Sequence, residues 1–167
     1  MGSRVEPIVR VAGPDDVAAI CKFGETYVPP HCSPLVGAAA AAEQVRAWWN
    51  ETYVSRAVAQ GLVVVGTTDG VLIGVAQRGR RGEDHVIYKL YVHPQHRSGG
   101  LGRRLVNALI AQLPASTDRV YVEQFVSNER AGAFYEREGF VVDTVEPSRS
   151  GDPRAATVWR VRHFPRS

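Results

Sequence analysis

The stretch "VHPQHRSGGLGRRLV" (residues 92–106) places three glycines between a strand-like run that ends at a proline and an amphipathic segment. Glycine is costly to order, so such a run indicates a turn with a particular purpose. A glycine-rich turn that opens a helix directs several backbone N–H groups at one spot, where the helix dipole adds positive potential. The stretch therefore predicts an anion site, to which Arg97, Arg103 and Arg104 can add charge-assisted contacts.

Two common phosphate-binding patterns do not fit this turn. A P-loop requires G-x-x-x-x-G-K-[ST], but no lysine follows Gly102. A dinucleotide fingerprint, G-x-G-x-x-G, read from Gly100 meets Leu105 where its third glycine should be. It would also require the first strand of a βαβ unit, whereas several strand-like runs precede this turn. The anion is therefore held by neither of these two motifs.

The segments around the turn predict the fold class. Before it, the patterns indicate a strand at 6–12, helices at about 14–27 and 38–61, a proline-rich break at 28–37, a hairpin at 62–79 through Asp69-Gly70, and a strand at 83–94. After it, they indicate helices at 101–114 and 127–139 and strands at 118–126, 140–147 and 155–164. This order predicts one α/β domain of the α+β type over residues 1–167. Because hairpins dominate its first half, its sheet of six to seven strands should be mixed but mostly antiparallel.

Composition narrows the class of protein. With 167 residues, 44% hydrophobic and 22% charged, the chain is typical of a soluble globular protein, and the net charge of +3 is too small to indicate nucleic-acid binding. The N-terminal "MGSRVEPIVR" has no apolar leader and no segment is long enough to span a membrane, so we expect a cytoplasmic protein. Cys21 and Cys32 are expected to be free thiols, with a disulfide as the alternative, and no metal site is expected.

Two motifs together resemble those of the GCN5-related N-acetyltransferases. Residues 97–102, Arg-Ser-Gly-Gly-Leu-Gly, match that family's pyrophosphate-binding pattern Q/R-x-x-G-x-G/A at the start of a helix. Downstream, "NERAGAFYEREGF" (128–140) is similar to the family's N-x-x-A-x-x-F-Y-x-x-x-G-F. The order of elements also agrees, so the resemblance covers nearly the whole chain. It implies helices flanking the sheet and a splayed strand pair that forms a wedge for acyl-CoA.

The resemblance also implies which residues bind the cosubstrate acetyl-CoA. Backbone groups of Leu90, Tyr91 and Val92 would pair with the pantetheine amides, and Asn128 would contact the cofactor arm. The pyrophosphate would be bound by backbone N–H groups of Arg97, Ser98, Gly99, Gly100, Leu101, Gly102 and Arg103. No metal is implied.

The resemblance assigns a general acid to this chain but not a general base. Tyr135 matches the family's general acid, and a phenol can protonate the departing CoA thiolate. Many relatives carry a glutamate where this chain has Val86, so the base must come from elsewhere. Glu83, Asp84 and His85, or Glu123 on the following strand, could take the proton of the attacking ammonium through water, and of these we favour Glu123, then Asp84.

The acceptor is expected to be held by residues 23–53, whose aromatic side chains could enclose an amine: Tyr27, His31, Trp48, Trp49 and Tyr53. A tryptophan pair on a helix is, however, more often part of the core or of a dimer contact. Glu25 and Glu51 could recognise an ammonium. The resemblance thus implies an acetyl-CoA-dependent N-acetyltransferase of a small-molecule or peptide amine, acting as a monomer or homodimer. The alternative is a non-catalytic acyl-CoA-binding sensor or regulatory module of the same fold.

Overall fold

The hairpin-rich centre of the chain forms a seven-stranded sheet in a computed structural model that describes residues 5–165. Residues 1–4 and 166–167, the ends of the expected domain, lie outside the described residues. The elements in chain order are β1 (Ile8–Val11), α1 (Val17–Val36), α2 (Ala38–Trp48), α3 (Glu51–Ala59), β2 (Val63–Thr68), β3 (Val71–Arg81), β4 (Asp84–Val92), α4 (Leu101–Ala111), β5 (Arg119–Phe125), α5 (Glu129–Arg137), β6 (Val141–Glu146) and β7 (Thr157–His163). The predicted α/β class and the mixed, mostly antiparallel sheet are confirmed.

The sheet splays between its two central strands. Its order is β1-β2-β3-β4-β5-β7-β6, and every neighbouring pair is antiparallel except β4 and β5. These two parallel strands pair only over residues 85–87 and 120–122, after which they separate. The last residues of β4 therefore keep pairing with β3 while their other edge is not paired with β5. This is the predicted wedge.

Helices cover both faces of the sheet, because alternating strand residues face opposite sides. On β2, Val63 and Val65 pack in the cluster formed with α1 to α3, whereas Val64 packs in the cluster formed with α4 and α5. On α4, Leu101, Leu105 and Leu109 recur at four-residue spacing and are all buried, as the sequence pattern predicted. The sheet thus separates one helical layer from the other, and the wedge opens toward both.

The predicted break at 28–37 is wrong, because α1 continues through Pro29, Pro30 and Pro34 to Val36. Each proline removes one helical N–H donor. The carbonyls that lose their partners belong to Glu25, Thr26 and Pro30, three exposed residues whose carbonyls water can reach. On the opposite face, positions 20, 24, 28, 32 and 36 are all buried, so packing of this stripe stabilises the helix beyond its local propensity.

Candidate active site

The glycine-rich turn holds an open cradle of backbone donors at the start of α4. Ser98 and Gly100 adopt positive φ angles of 70° and 85°, which aims the chain into the helix. The first N–H to bond inside the helix belongs to Arg104, which donates to the Gly100 carbonyl at 3.2 Å. The N–H groups of the three preceding residues, 101–103, therefore have no acceptor within the helix. Apart from the chain immediately around it, no atom of the described residues lies within 4 Å of a Cβ built on Gly100, so the space beside this residue is open.

Side chains complete a cavity of about 390 Å³ beside this turn, which we call the small cavity. Of the predicted pyrophosphate residues, Arg97, Ser98, Gly100, Gly102 and Arg103 line it. Gly99 and Leu101 do not, and the Leu101 side chain is buried in the core, so that residue can offer only its backbone.

The arginines around the small cavity differ from those the sequence suggested. Arg104 donates to the Pro7 carbonyl at 2.7 Å and does not line the cavity, so its expected role in anion binding is wrong. Arg103 lines it but pairs with Glu138 at 2.8 Å. Arg130 and Arg137 of α5 also line it and were missed, because only the fold brings α5 beside the turn.

The free edge of β4 leads from the turn into the wedge. Leu90, Tyr91 and Val92 pair with β3 on one side and lie beyond the last pairing with β5 on the other. The Val92 carbonyl accepts a hydrogen bond from Arg97 Nε at 3.3 Å. Successive residues of a strand direct their backbone N–H and C=O to opposite edges. Because the His93 N–H bonds to the Ile73 carbonyl of β3, the backbone groups of Tyr91 also face β3, whereas those of Leu90 and Val92 face the wedge.

A second cavity of about 1040 Å³, the large cavity, meets the small cavity at the wedge. Six residues line both cavities, and we call them the junction: His31, Leu90, Tyr91, Asn128, Ala131 and Tyr135. Two ligands that enter from opposite sides can touch only there. The junction is therefore where a group could pass from one ligand to the other.

Tyr135 presents an unused hydroxyl at the junction. Its side chain is 6% exposed and its ring packs against Phe134 and Phe140, yet its hydroxyl bonds to none of the described residues. Burial raises the pKa of Tyr135, and the negative charge of Glu123 raises it further. The phenol is therefore protonated at neutral pH, as a proton donor must be.

Glu123 lines the large cavity from β5. Burial raises the pKa of this carboxylate, opposed in part by Arg81 and reinforced by Glu146. A carboxylate with a raised pKa is a stronger base, and within residues 5–165 Glu123 forms no ion pair that would hold its charge.

Asp84, the second base candidate, lies elsewhere. It begins β4 at the closed end of the wedge and pairs with Arg119 at 3.0 Å. It lines neither cavity.

The remaining polar residues of the junction position one another. Asn128 caps α5 by accepting from the Ala131 N–H at 3.1 Å, and its side-chain amide lies 3.4 Å from His31 Nε2. Burial lowers the pKa of His31, and the charges of Arg97 and Arg130 lower it further. His31 reaches the junction only because α1 continues through its prolines, which the sequence analysis did not foresee.

The wall of the large cavity on the helical side is aromatic. His31, Trp48, Trp49 and Tyr53 line it as expected, with Trp48 46% exposed and Trp49 buried in the core. Three other expected contacts are wrong: Glu25 and Glu51 are exposed and do not line it, and Tyr27 packs against Phe23 and His93 instead.

Lys89 of β4 also lines this wall, although the sequence analysis did not select it. The apolar residues beside Lys89 in the sequence do not indicate a binding role, because the aromatic residues that surround its ammonium come from helices distant in sequence.

Cys21 and Cys32 are both free thiols, and burial raises the pKa of each. They lie 11 residues apart on α1, which separates them by about 16 Å along the helix, too far for a disulfide. Among the described side chains, no group of three or more His, Cys, Asp or Glu residues could hold a metal ion. Within residues 5–165, no helix combines the length and apolar character that crossing a membrane requires.

Comparison with known proteins agrees with this geometry. Residues 59–142, about half of the chain, match the family model described as an acetyltransferase (GNAT) domain. No curated protein sequence matches the chain.

Solved structures show the same fold. The chain is similar to PaiA N-acetyltransferase from Thermoplasma acidophilum in complex with coenzyme A, with a TM-score of 0.81 at 12% identity over 96% of this chain and 100% of that one. It is similar to a GCN5-related N-acetyltransferase from Rhodopseudomonas palustris, with a TM-score of 0.78 at 20% identity over 98% and 99%. It is also similar to a putative acetyltransferase, YncA, from Salmonella typhimurium with acetyl-CoA, with a TM-score of 0.67 at 20% identity over 98% and 96%.

Proposed function

Because the chain belongs to the acetyltransferase (GNAT) family, we propose that it transfers an acetyl group from acetyl-CoA to the primary amine of a small molecule or peptide. The observation that carries this proposal is the junction, where the unbonded Tyr135 hydroxyl lies between the small cavity and the large cavity that Glu123 lines. Acetyl-CoA fills the small cavity and the wedge, and the amine fills the large cavity.

The donors of the turn fit a CoA pyrophosphate. The N–H groups of residues 101–103 bind its oxygens at the positive end of α4, with Arg97 and Arg130 nearby. The Gly102 side of α4 lies so near Phe134 that a Cβ there would stand 3.3 Å from the ring. This close approach lets α4 and α5 enclose the small cavity together. Leu90 and Val92 offer backbone groups to the pantetheine amides, Tyr91 holds this edge in place through its pairing with β3, and Asn128 offers its side-chain amide to the same arm.

The reaction is a direct attack of the amine on the thioester. Glu123 accepts a proton from the ammonium, so that the amine nitrogen can bond to the carbonyl carbon. The carbon–sulfur bond then breaks, and Tyr135 donates its phenolic proton to the departing sulfur. The nitrogen, now bonded to the acetyl carbon, releases its second proton to solvent. Tyr135 takes up one proton from solvent and Glu123 releases one, so the products are the acetylated amine, CoA thiol and one net proton. Asp84 is not assigned this role, because its ion pair with Arg119 lies outside the large cavity.

The test combines binding with turnover. Calorimetric titration with acetyl-CoA and CoA should give saturable binding, and free CoA thiol should accumulate when a panel of amines is added. A matched reaction without amine measures background hydrolysis and any reaction of Cys21 and Cys32 with the thiol reagent. Tight CoA binding with no thiol release for any amine would overturn the enzymatic proposal in favour of the acyl-CoA-binding module, and no binding at all would overturn both.

A further inference from the structure

Lys89 occupies an unusual position for a cation. It is 5% exposed, and no other lysine, arginine, aspartate or glutamate is buried to this degree among residues 5–165. Its Nζ donates to the Trp48 carbonyl at the end of α2 and lies 4.3 Å and 4.8 Å from the ring centroids of Trp49 and Tyr53. None of the described carboxylates pairs with it. An ammonium has three donors, so two are left with no oxygen acceptor among the described residues and face only the two aromatic rings.

Burying an ammonium without a counter-charge is costly. Burial accordingly lowers the pKa of Lys89 to about 7, and the one titratable group that opposes this shift is the Cys21 thiol of α1. Tyr53 of α3 contacts the Lys89 ammonium with the face of its ring. Gln77 of β3, the residue paired with Lys89 in the sheet, is uncharged. The site therefore lacks an anion that would complete it.

The rest of the large cavity is also poor in free anions. Of its two carboxylates, Glu43 pairs with Arg46 on its own helix and Glu123 is the proposed base. Arg149 lines the cavity from the loop after β6 and pairs with no described residue. Arg81 also lines it, stacked 4.2 Å from the Trp159 ring while pairing with Glu146. An anionic group on the acceptor would meet these cations, whereas a second ammonium would be repelled by them.

We propose that the acceptor is a small amine that also carries a carboxylate, and that Lys89 binds this carboxylate through its two unused donors. This rests on the proposed acetyl transfer. Arg149 adds positive potential in the same cavity, whereas the charge of Arg81 is offset by Glu146. Trp48 and Tyr53 supply an apolar wall for the atoms that join the amine to the carboxylate. Diamines and polyamines are the disfavoured class, because their second ammonium would lie near Lys89.

The experiment compares acceptors of the same length that carry different groups at the end opposite the reacting amine. α-, β- and γ-amino carboxylates are each assayed beside the carboxamide and the diamine of the same length, with thiol release as the readout. We expect kcat/KM for the best carboxylate to exceed that of its carboxamide by about tenfold or more. Lys89→Met should abolish this ratio by raising KM for the carboxylate, while CoA affinity, which depends on the small cavity, stays within about twofold. Lys22→Met, the same change at an exposed site on α1, is the matched control and should keep the ratio.

A binding measurement on the wild-type chain keeps the inference testable should Lys89→Met not fold. Pairing with a carboxylate raises the pKa of Lys89, so at pH 8 carboxylate binding to the CoA complex should take up protons and carboxamide binding should not. Calorimetry in buffers of different ionisation enthalpy measures this uptake. A carboxamide or diamine turned over as fast as the carboxylate, or binding without proton uptake, overturns this inference and leaves acetyl transfer standing. Saturable CoA binding with no thiol release for any acceptor overturns acetyl transfer itself.

Discussion

The small cavity and the large cavity meet at one junction but are built differently. The small cavity presents backbone groups, namely the N–H donors at the start of α4 and the free edge of β4. The large cavity presents side chains that converge from several helices and strands, namely α1, α2, α3, α5, β3, β4, β5 and β7, with Arg149 from a loop. Backbone donors suit a constant ligand such as a pyrophosphate, whereas side chains can vary with the acceptor. The difference indicates that cofactor and acceptor specificity can be perturbed separately.

The largest expected effect comes from Gly100→Glu. It places a carboxylate against the pyrophosphate and a side chain on a left-handed residue, and like charges about 4 Å apart at an effective dielectric near 20 repel by about 4 kcal/mol. Affinity for CoA should fall by about 10³-fold in calorimetry. Gly61→Glu is the matched control, since Gly61 has a φ of 72°, open space around it and no place in either cavity. Unchanged CoA affinity in Gly100→Glu would remove the turn as the pyrophosphate site.

Tyr135→Phe should separate chemistry from binding at the junction. The hydroxyl bonds to no described residue, so its removal breaks no hydrogen bond of the fold, and kcat should fall by about 10²–10³-fold through loss of the general acid. CoA affinity should stay within about twofold. Tyr121→Phe, on a half-buried residue that lines neither cavity, is the control. Equal turnover in the two variants would exclude Tyr135 as the acid.

Glu123→Gln tests the base on the acceptor side. We expect kcat/KM to drop by about 10²-fold at neutral pH. This loss is smaller than that expected for Tyr135→Phe, because the fraction of the amine that is already unprotonated can react without a base. Burial raises the pKa of Glu123, so the wild-type rate should fall as pH decreases through that raised pKa. This acid limb should be missing from the pH profile of the variant. If the rate of the variant still falls over the same pH range as that of the wild type, another group is responsible for this pH dependence.

Glu123→Gln should lower activity but increase the stability of the fold at alkaline pH. A carboxyl with a raised folded-state pKa destabilises the fold at pH above that pKa, where its charge is buried, and has no effect below the unfolded pKa, where both states are neutral. Urea denaturation should therefore find Glu123→Gln more stable than wild type at pH 8, with the gain fading as pH falls toward 4.

Asp84→Asn should have the smallest effect. It removes a solvent-screened ion pair with Arg119 at a residue that lines neither cavity. Its kcat/KM should stay within about twofold of wild type in the thiol-release assay. A loss as large as that of Glu123→Gln would make Asp84 the base.

The sequence predicts the small cavity well because its determinants are local. Glycine spacing, the helix start and the Asn128 cap all act within a few residues, so "RSGGLG" and the motif at 128–140 could be interpreted without the fold. The splayed strands followed from the family resemblance. Arg130 was missed because its approach to the turn depends on how α5 packs.

The large cavity could be predicted only in part, because its parts meet through packing. The three prolines of α1 indicated a loop, yet burial of one face of that helix outweighs three lost hydrogen bonds and carries His31 to the junction. The residues that contact the Lys89 ammonium, Trp48, Trp49 and Tyr53, lie more than 35 residues away in sequence. Glu25 and Glu51 have suitable chemistry but project into solvent.

A crystal structure with acetyl-CoA tests the central claim most directly. We expect pyrophosphate oxygens within hydrogen-bond distance of the N–H groups of residues 101–103, and the thioester sulfur within hydrogen-bond distance of the Tyr135 hydroxyl at the junction. A pyrophosphate bound away from this turn, or a sulfur out of reach of Tyr135, would contradict it.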